Sequence, residues 1–206
     1  MEWYAYEREL AAKGYNVICG VDEAGRGPLA GPVFAAAVVL DPKNEIEGLN
    51  DSKKLSQKKR ELLFDEIREK ALDFGIWAVD EKTIDEINIL QATFLAMTRA
   101  TEQLETVPDI AVIDGNRLPP AMPCECMTLV KGDSLCTSVA AASILAKVSR
   151  DRFMMIMHEK YPEYNFAKHK GYGTKEHCEA ILKFGPSPVH RRSFLKKLLP
   201  EESTDE

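Results

Sequence analysis

Two kinds of segment alternate along this chain, and their order predicts an α/β fold. Short runs that are apolar throughout, or that alternate with polar residues, indicate strands. Longer segments bounded by capping and stop signals indicate helices. The predicted strands span residues 17–21, 32–40, 74–80, 110–113 and 125–130. The predicted helices span residues 2–13, 56–72, 83–105, 137–157, 174–184 and 192–199.

Local signals set several of these boundaries. Ser56 is a good N-cap, Thr83 and Glu86 form a capping-box pattern, and Gly185 is a typical helix stop. The small residues Ala140–Ala142 predict that the fourth helix, at 137–157, packs closely on a sheet. Since the chain contains no internal repeat, we expect one α/β domain followed by a small helical C-terminal extension.

Acidic residues follow the predicted strands. Asp22 and Glu23 come where the first apolar run ends, Asp114 ends a later strand, and Asp133 follows the next one. Because sites in open α/β sheets form beyond the strand ends, we expect these four carboxylates to converge. Oxygen-only ligands favour Mg²⁺ or Mn²⁺. Taken singly, Asp114 could also belong to an ordinary turn, and Asp133 could cap the following helix.

Composition adds broad limits on location. The chain has 206 residues, of which 45% are hydrophobic and 29% charged, as in soluble globular proteins. No apolar run approaches the roughly 20 residues needed to span a bilayer, and the N-terminus lacks the regions of a secretory signal. The five cysteines do not resemble a disulfide framework. We therefore expect a cytoplasmic protein without a membrane partner.

The distribution of charge points to phosphate more than the sum does. The net charge is −6, but twelve basic and five acidic residues lie between Lys147 and Lys197. A second basic cluster comprises Lys53, Lys54 and residues 58–60. Either cluster alone could be a solvated helix face. Beside a group of carboxylates, the better interpretation is that they hold the phosphates of a substrate.

Six segments carry a family resemblance. They are VDEAGRGPLAGP at 21–32, DSKKL at 51–55, IDGN at 113–116, KGDS at 131–134, AASILAKVSRD at 141–151 and HKGYGT at 169–174. In this order they resemble the motifs of bacterial ribonuclease HII, and the match runs from about residue 16 to 195. Ribonuclease HIII is a weaker match, because that family has an additional N-terminal domain and departs from Gly-Arg-Gly after the acidic pair.

The resemblance implies a fold and an activity. The fold would be RNase H-like, with a mixed five-stranded sheet flanked by helices and a small helical C-terminal extension. Residues 1–168 would form the catalytic domain, and residues 169–206 the extension and an acidic tail. The activity would be that of a metal-dependent endonuclease on the RNA strand of RNA/DNA hybrids. It would also incise 5′ of single ribonucleotides in duplex DNA, leaving 5′-phosphate and 3′-hydroxyl ends.

The resemblance also assigns the metal-binding acids, namely Asp22, Glu23, Asp114 and Asp133. A two-metal hydrolysis would follow, with Mn²⁺ or Mg²⁺ ions about 3.5–4 Å apart. One ion would generate the attacking hydroxide, and the other would stabilise the leaving 3′ oxygen.

Five further residues would bind the substrate by resemblance. The Gly25, Arg26, Gly27 loop would recognise the ribonucleotide, since glycine permits the close backbone approach that a 2′-hydroxyl requires. Tyr172 would pack on the sugar of the following deoxynucleotide. Lys53 would position a phosphate. Alone, Gly-Arg-Gly could be an ordinary turn, and Tyr172 could be an exposed tyrosine without a role.

Other interpretations stay open. The chain could act on another phosphoester, as a nucleotide phosphatase or a resolvase-like nuclease, or it could be a binding protein whose acids are structural. We expect a monomer. The segment 194–199 could contact a sliding clamp, although packing on the domain is the simpler interpretation. The four histidines are scattered along the sequence, and none is assigned to the chemistry.

Overall fold

A computed structural model describes residues 4–199 of the chain. The strands are β1 (Ile18–Ala24), β2 (Val33–Val39), β3 (Asp73–Val79), β4 (Ile110–Asp114) and β5 (Glu125–Leu129). The helices are α1 (Ala5–Ala12), α2 (Gln57–Lys70), α3 (Glu81–Glu102), α4 (Thr137–Lys160), α5 (Phe166–His169), α6 (Lys175–Phe184) and α7 (Arg192–Leu195). Short 3₁₀ turns occur at Ser52–Lys54, Gly132–Ser134 and Pro162–Tyr164.

The strands form one mixed sheet in the order β3-β2-β1-β4-β5. The β1, β2 and β3 strands are antiparallel neighbours, whereas β4 and β5 run parallel to β1. The α3 helix carries the chain from β3, at one edge of the sheet, across β2 and β1 to β4. The prediction of a mixed five-stranded sheet flanked by helices is confirmed.

The first strand is longer than predicted, and the difference affects the acidic pair. The prediction ended this strand at Val21, but β1 continues through Asp22 and Glu23 to Ala24 because β2 pairs with these residues. The parallel pairing with β4 stops at Val21 and Ile113. The two carboxylates therefore lie inside a strand, at the point where it loses one of its two neighbours.

Helices cover both faces of the sheet. On one face, α3 packs on residues such as Val21 and Ile113 in a continuous apolar layer. On the other face, α2 and the alanine-rich part of α4 pack on Ala36 and Val38. At Gly20, a Cβ atom would lie 2.1 Å from the backbone carbon of Ser138 in α4. The absence of a side chain there is what lets α4 reach the sheet.

Helix boundaries differ from the predictions where other side chains supply the cap. The α3 helix begins at Glu81 because Asp80 accepts a hydrogen bond from the Thr83 amide at 2.8 Å. Its path is interrupted at Asn88, which has a φ of 67°. The predicted loop at 162–173 contains α5, and the last helix covers only Arg192–Leu195.

The C-terminal region packs on the rest of the molecule through its own apolar cluster. This cluster includes Ala30 from the β1–β2 loop, Met154 from α4, Phe166, Ile181 and Leu195. The acidic tail at 201–206 and the first residues of the predicted N-terminal helix lie outside the described residues. The division of the chain at residue 168 stays a prediction. Within residues 4–199, no helix combines the length and apolar character that crossing a bilayer requires.

Candidate active site

Two of the predicted acids lie side by side on neighbouring parallel strands. Val21 of β1 pairs with Ile113 of β4, so the next residues, Asp22 and Asp114, occupy equivalent positions. Parallel strands are about 4.8 Å apart, and equivalent residues project from the same face of the sheet. Successive side chains of a strand point to opposite faces of the sheet, so Glu23 projects from the other face at the same end of β1.

The turn that carries Asp133 is joined to this pair. The Gly132 amide donates a hydrogen bond to Asp114 Oδ1 at 2.7 Å, which places the 3₁₀ turn at 132–134 beside the end of β4. Asp133 does not cap the following helix, because the N-cap of α4 is Cys136. The structure thus brings Asp22, Asp114 and Asp133 to one region of the molecule.

The electrostatics of these acids reflect burial and crowding. Asp22 is only 6% exposed. Burial raises its pKa well above the usual value, and the charges of Glu23 and Asp114 raise it further. The pKa of Glu23 is also raised, chiefly by burial, although nearby Arg26 opposes the shift. Burial and Asp114 likewise raise the pKa of Asp133. The site therefore holds more negative charge than its surroundings neutralise.

The residues fit a divalent cation in chemistry, although they are not arranged as a ready cage. Among residues 4–199, no three His, Cys, Asp or Glu side chains stand close enough together to enclose an ion. The donors are nevertheless all carboxylate oxygens, which hard divalent cations prefer. Burial is the main cause of the raised pKa values of Asp22, Glu23 and Asp133, and repulsion between the acids adds to it. A bound cation would offset both.

The predicted substrate-binding residues meet in one cavity. It has a volume of about 200 Å³ and adjoins the acidic pair. Its lining includes Gly25, Arg26, Gly27, Lys53 and Tyr172. The Tyr172 side chain is exposed, and a methyl group placed on Gly27 would lie 3.7 Å from its ring. A tyrosine face and a glycine-rich loop thus line the same opening.

Lys53 stands among the acids. Burial alone would lower the pKa of its ammonium group, but the charges of Asp22, Asp133 and Asp51 outweigh burial and raise it. Asp51 was not assigned a role from the sequence. Its carboxyl group lies near that of Asp133 and, after burial and Asp114, raises the pKa of Asp133 further. Nothing in the sequence around Asp51 indicated that it would lie beside the acids. In the structure it also caps the 3₁₀ turn at 52–54, where its side chain accepts a hydrogen bond from the Lys53 amide at 2.9 Å.

Two basic residues that the charge count placed on the surface, Arg150 and Arg191, are buried. Arg150 is 1% exposed and Arg191 is fully buried. Arg150 donates to the backbone carbonyls of Ala30 and Pro32, at 3.0 and 3.2 Å. For these two arginines the interpretation as a solvated face or a phosphate-binding surface is wrong. Both hold backbone from inside the protein.

Three of the four histidines, His169, His177 and His190, are scattered in sequence but lie together in space. His169 and His177 stack with ring centroids 4.4 Å apart, and the Nε2 atoms of His177 and His190 lie 3.0 Å apart. The described rings of His177 and His190 are 0% and 2% exposed. Such burial favours a structural role.

The sheet order and the carboxylates at the ends of its parallel strands define an α/β protein of the RNase H-like class. The family model for ribonuclease HII matches residues 19–197. The chain belongs to the ribonuclease HII family, and it is a hydrolytic nuclease with RNase H activity on RNA/DNA hybrids. The resemblance inferred from the six motifs is confirmed.

Individual relatives agree with this assignment. The chain is 57% identical over 198 residues to ribonuclease HII of Caldicellulosiruptor saccharolyticus, covering 96% of each protein. It is 54% identical over 194 residues to that of Clostridioides difficile, covering 94% of this chain and 76% of the relative.

Solved structures support the fold. Ribonuclease H2 from Pyrococcus horikoshii OT3 superposes with a TM-score of 0.73 at 30% identity, covering 88% of this chain and 96% of that one. A ribonuclease HII from Archaeoglobus fulgidus, solved in a PCNA complex, gives 0.68 at 27% identity and covers 92% and 98%. Bst-RNase HIII in complex with Mn²⁺ gives 0.66 at 20% identity, covers 82% and 63%, and supports the fold alone.

Proposed function

We propose that this chain is a divalent-metal-dependent endonuclease that also incises 5′ of single ribonucleotides in duplex DNA. The products would carry 5′-phosphate and 3′-hydroxyl ends. The observation that carries the proposal is the position of Asp22 and Asp114 on adjacent parallel strands, with the Asp133 turn hydrogen-bonded to Asp114. This arrangement lies beside the cavity that contains the Gly25–Gly27 loop.

Asp22, Glu23, Asp114 and Asp133 would hold two Mg²⁺ or Mn²⁺ ions. Bound there, the ions would supply Lewis-acid stabilisation for the attacking and leaving oxygens of an in-line displacement. The protein supplies the remaining elements. Asp22 and Asp133 are 6% and 7% exposed, so bulk water has little access to these two carboxylates. The charge of Lys53 beside them is suited to a substrate phosphate.

Recognition of the ribonucleotide would fall to the Gly25–Gly27 loop and Tyr172. A 2′-hydroxyl is the group that distinguishes RNA from DNA at one position. Gly25 has a φ of 102°, a backbone conformation that residues other than glycine rarely adopt. Arg26 keeps half of its side chain exposed and can reach a phosphate. Tyr172 presents an exposed ring to the same cavity, where it would pack on a deoxyribose.

The decisive experiment compares a DNA duplex with the same duplex containing one ribonucleotide, and with a full RNA/DNA hybrid, in Mg²⁺ and in Mn²⁺. We expect no cut in the first, one cut 5′ of the ribonucleotide in the second, and many in the third. Asp22→Asn and Asp114→Asn should abolish cleavage and leave substrate binding largely intact. Asp65→Asn, at an exposed acid on α2, is the matched control. Full-rate turnover by either site variant would overturn the assignment of the acids.

Two variants separate recognition from cleavage. Arg26→Ala should lower kcat/KM on every ribonucleotide-containing substrate, because it removes a phosphate contact. Tyr172→Ala should lower the rate on a lone ribonucleotide more than the rate on a uniform hybrid, because only the former places a deoxyribose next to the cut. An unchanged ratio between the two substrates would contradict the role given to Tyr172.

The expectations of a monomer, a cytoplasmic location and a sliding-clamp contact stay separate proposals. The Archaeoglobus fulgidus relative has been solved with PCNA, and the counterpart here would be the segment 194–199. Phe194 packs against the core layer of α3, while Leu195, Leu198 and Leu199 belong to the C-terminal cluster. A clamp would have to release these side chains, so packing on the domain is the favoured role. Binding of a bacterial sliding clamp to the intact chain, lost on Phe194→Ala, would reverse that preference.

A further inference from the structure

The buried side chain of Arg191 forms several hydrogen bonds with the backbone of the loop that contains Gly25–Gly27. Its guanidinium group donates to the carbonyl oxygens of Gly25, Arg26, Pro28 and Gly31, at 2.6, 3.1, 2.9 and 2.8 Å. All four acceptors belong to the loop between β1 and β2. Burial lowers the pKa of Arg191 to about 9, so the side chain stays charged at neutral pH.

The direction of these carbonyls fixes the direction of the amides. The described chain has no cis peptide bonds, and in a trans peptide the C=O of one residue points opposite to the N–H of the next. When Arg191 draws the carbonyls of Gly25 and Arg26 inward, the amide hydrogens of Arg26 and Gly27 must turn outward. Arg26 and Gly27 line the cavity beside the acids, so the outward side is the side a substrate would occupy.

The residue before Arg191 acts on the other predicted recognition element. His190 and His177 are joined through their Nε2 atoms, and Nδ1 of His177 hydrogen-bonds the Tyr172 carbonyl at 2.9 Å. The backbone amide of Arg191 also donates to the Leu29 carbonyl at 2.9 Å. One short buried segment is therefore connected to both the Gly25–Gly27 loop and Tyr172.

We propose that Arg191 is a positioning residue for ribonucleotide recognition, which orients the loop so that the Arg26 and Gly27 amides face the 2′-hydroxyl. This inference rests on the proposed function. A guanidinium group has five donors in a fixed planar fork, whereas an ammonium group has three on a flexible stem. Lysine at this position would keep the charge but could not hold four carbonyls at once. Arg191→Lys should therefore loosen the loop.

The test measures binding without cleavage, in Ca²⁺, by fluorescence anisotropy. The probes are an all-DNA duplex and the same duplex with one ribonucleotide. We expect wild type to bind the ribonucleotide duplex at least 10-fold more tightly, and Arg191→Lys to lose most of that ratio while its affinity for all-DNA duplex changes less than about 2-fold. Arg192→Lys, at the exposed neighbour, should keep the wild-type ratio. Under Mg²⁺, Arg191→Lys should lower kcat/KM on the lone ribonucleotide on the order of 100-fold, since a displacement of about 1 Å can have that effect.

The outcomes distinguish the two proposals. A wild-type protein that neither prefers nor cleaves the ribonucleotide duplex refutes the proposed function itself. A wild-type preference that survives in a folded Arg191→Lys variant refutes only the positioning role. If the variant does not fold, hydrogen exchange on wild type decides. The Arg26 and Gly27 amides should become protected on the ribonucleotide duplex and not on all-DNA duplex, and equal protection on both would overturn the inference.

Discussion

The N-terminus of α4 should depend for its stability on a carboxylate from another helix. Glu7 of α1 is 9% exposed. Its Oε1 atom accepts hydrogen bonds from the Ser138 amide at 2.7 Å, the Ser138 hydroxyl at 2.9 Å and the Cys136 thiol at 3.3 Å. The N-cap residue Cys136 makes no side-chain capping bond of its own. Glu7 thus caps α4 from a distance, with a charge of the sign that a helix N-terminus favours.

The magnitude follows from what each substitution leaves behind. Glu7→Gln keeps an acceptor oxygen but loses the charge, so it should lower the free energy of unfolding by about 1–2 kcal/mol. Glu7→Ala removes the acceptor and leaves the Ser138 amide and hydroxyl buried without a partner, at about 1–3 kcal/mol each. We expect a total of about 3–5 kcal/mol, which corresponds to a decrease in Tm of roughly 10 °C for a chain of this size.

Urea unfolding at pH 7, followed by circular dichroism, measures these differences. Equal m-values would show that the surface exposed on unfolding is the same in the variants and the wild type. Glu9 lies on the same helix and is exposed, so Glu9→Gln and Glu9→Ala are the matched controls. They should change the free energy of unfolding by less than about 0.5 kcal/mol. If Glu7→Ala proved no more destabilising than Glu9→Ala, the remote cap would have no energetic importance.

Three other perturbations test the fold around the site. Gly20→Ala would place a Cβ 2.1 Å from the backbone of α4, so thermal unfolding should show a loss of at least about 1–3 kcal/mol; an unchanged Tm would contradict the packing. Gly25→Ala combines a φ of 102° with a contact 2.2 Å from the Arg150 side chain. Thermal unfolding should therefore show a lower Tm and steady-state assays a lower kcat/KM, and unchanged values of both would contradict the strain. Burial lowers the pKa of His177 to about 4 and that of His190 to about 3. Both rings are therefore neutral in the folded protein at neutral pH, and their contribution to the free energy of unfolding is complete above pH 6.5. It decreases as the pH falls toward 4, by up to about 1.4 kcal/mol per pH unit for each ring. In His190→Gln the free energy of unfolding should change less steeply with pH, and an identical slope would refute this reasoning.

The order of strands and helices was predictable because it depends on local patterns. The strand at Ile110–Asp114 is an apolar run between a proline and a turn, and the structure has it where the pattern placed it. The end of β1 was not predictable in the same way. Asp22 and Glu23 are poor strand formers, yet they continue the ladder because β2 is opposite them. Tertiary pairing decided that boundary, and a single-sequence pattern does not contain it.

Motifs singled out the acids and the glycine-rich loop as a candidate site, but they gave no indication of the residues that hold the loop in place. Arg191 and Arg192 are adjacent and identical in type, and only the former is buried. Charge counts treat them alike. The three clustered histidines lie in α5, in α6 and in the segment before α7, so their spacing along the chain does not predict the cluster. Contacts of this kind depend on how distant segments pack, which composition and periodicity do not encode.

The partners of the buried arginines also bear on the availability of Asp22. A buried arginine is usually paired with a carboxylate, because an isolated charge inside a protein is costly. Arg150 and Arg191 are held instead by backbone carbonyls of the loop that follows the acidic pair. Neither guanidinium group forms an ion pair with Asp22, which lies in β1 before that loop. A carboxylate paired with an arginine, as Glu23 is with Arg26 at 3.5 Å, would have to give up that pair before it bound a cation. Carbonyl dipoles therefore stabilise the two arginines, and Asp22 stays without an arginine partner, as the proposed role in binding a divalent ion requires.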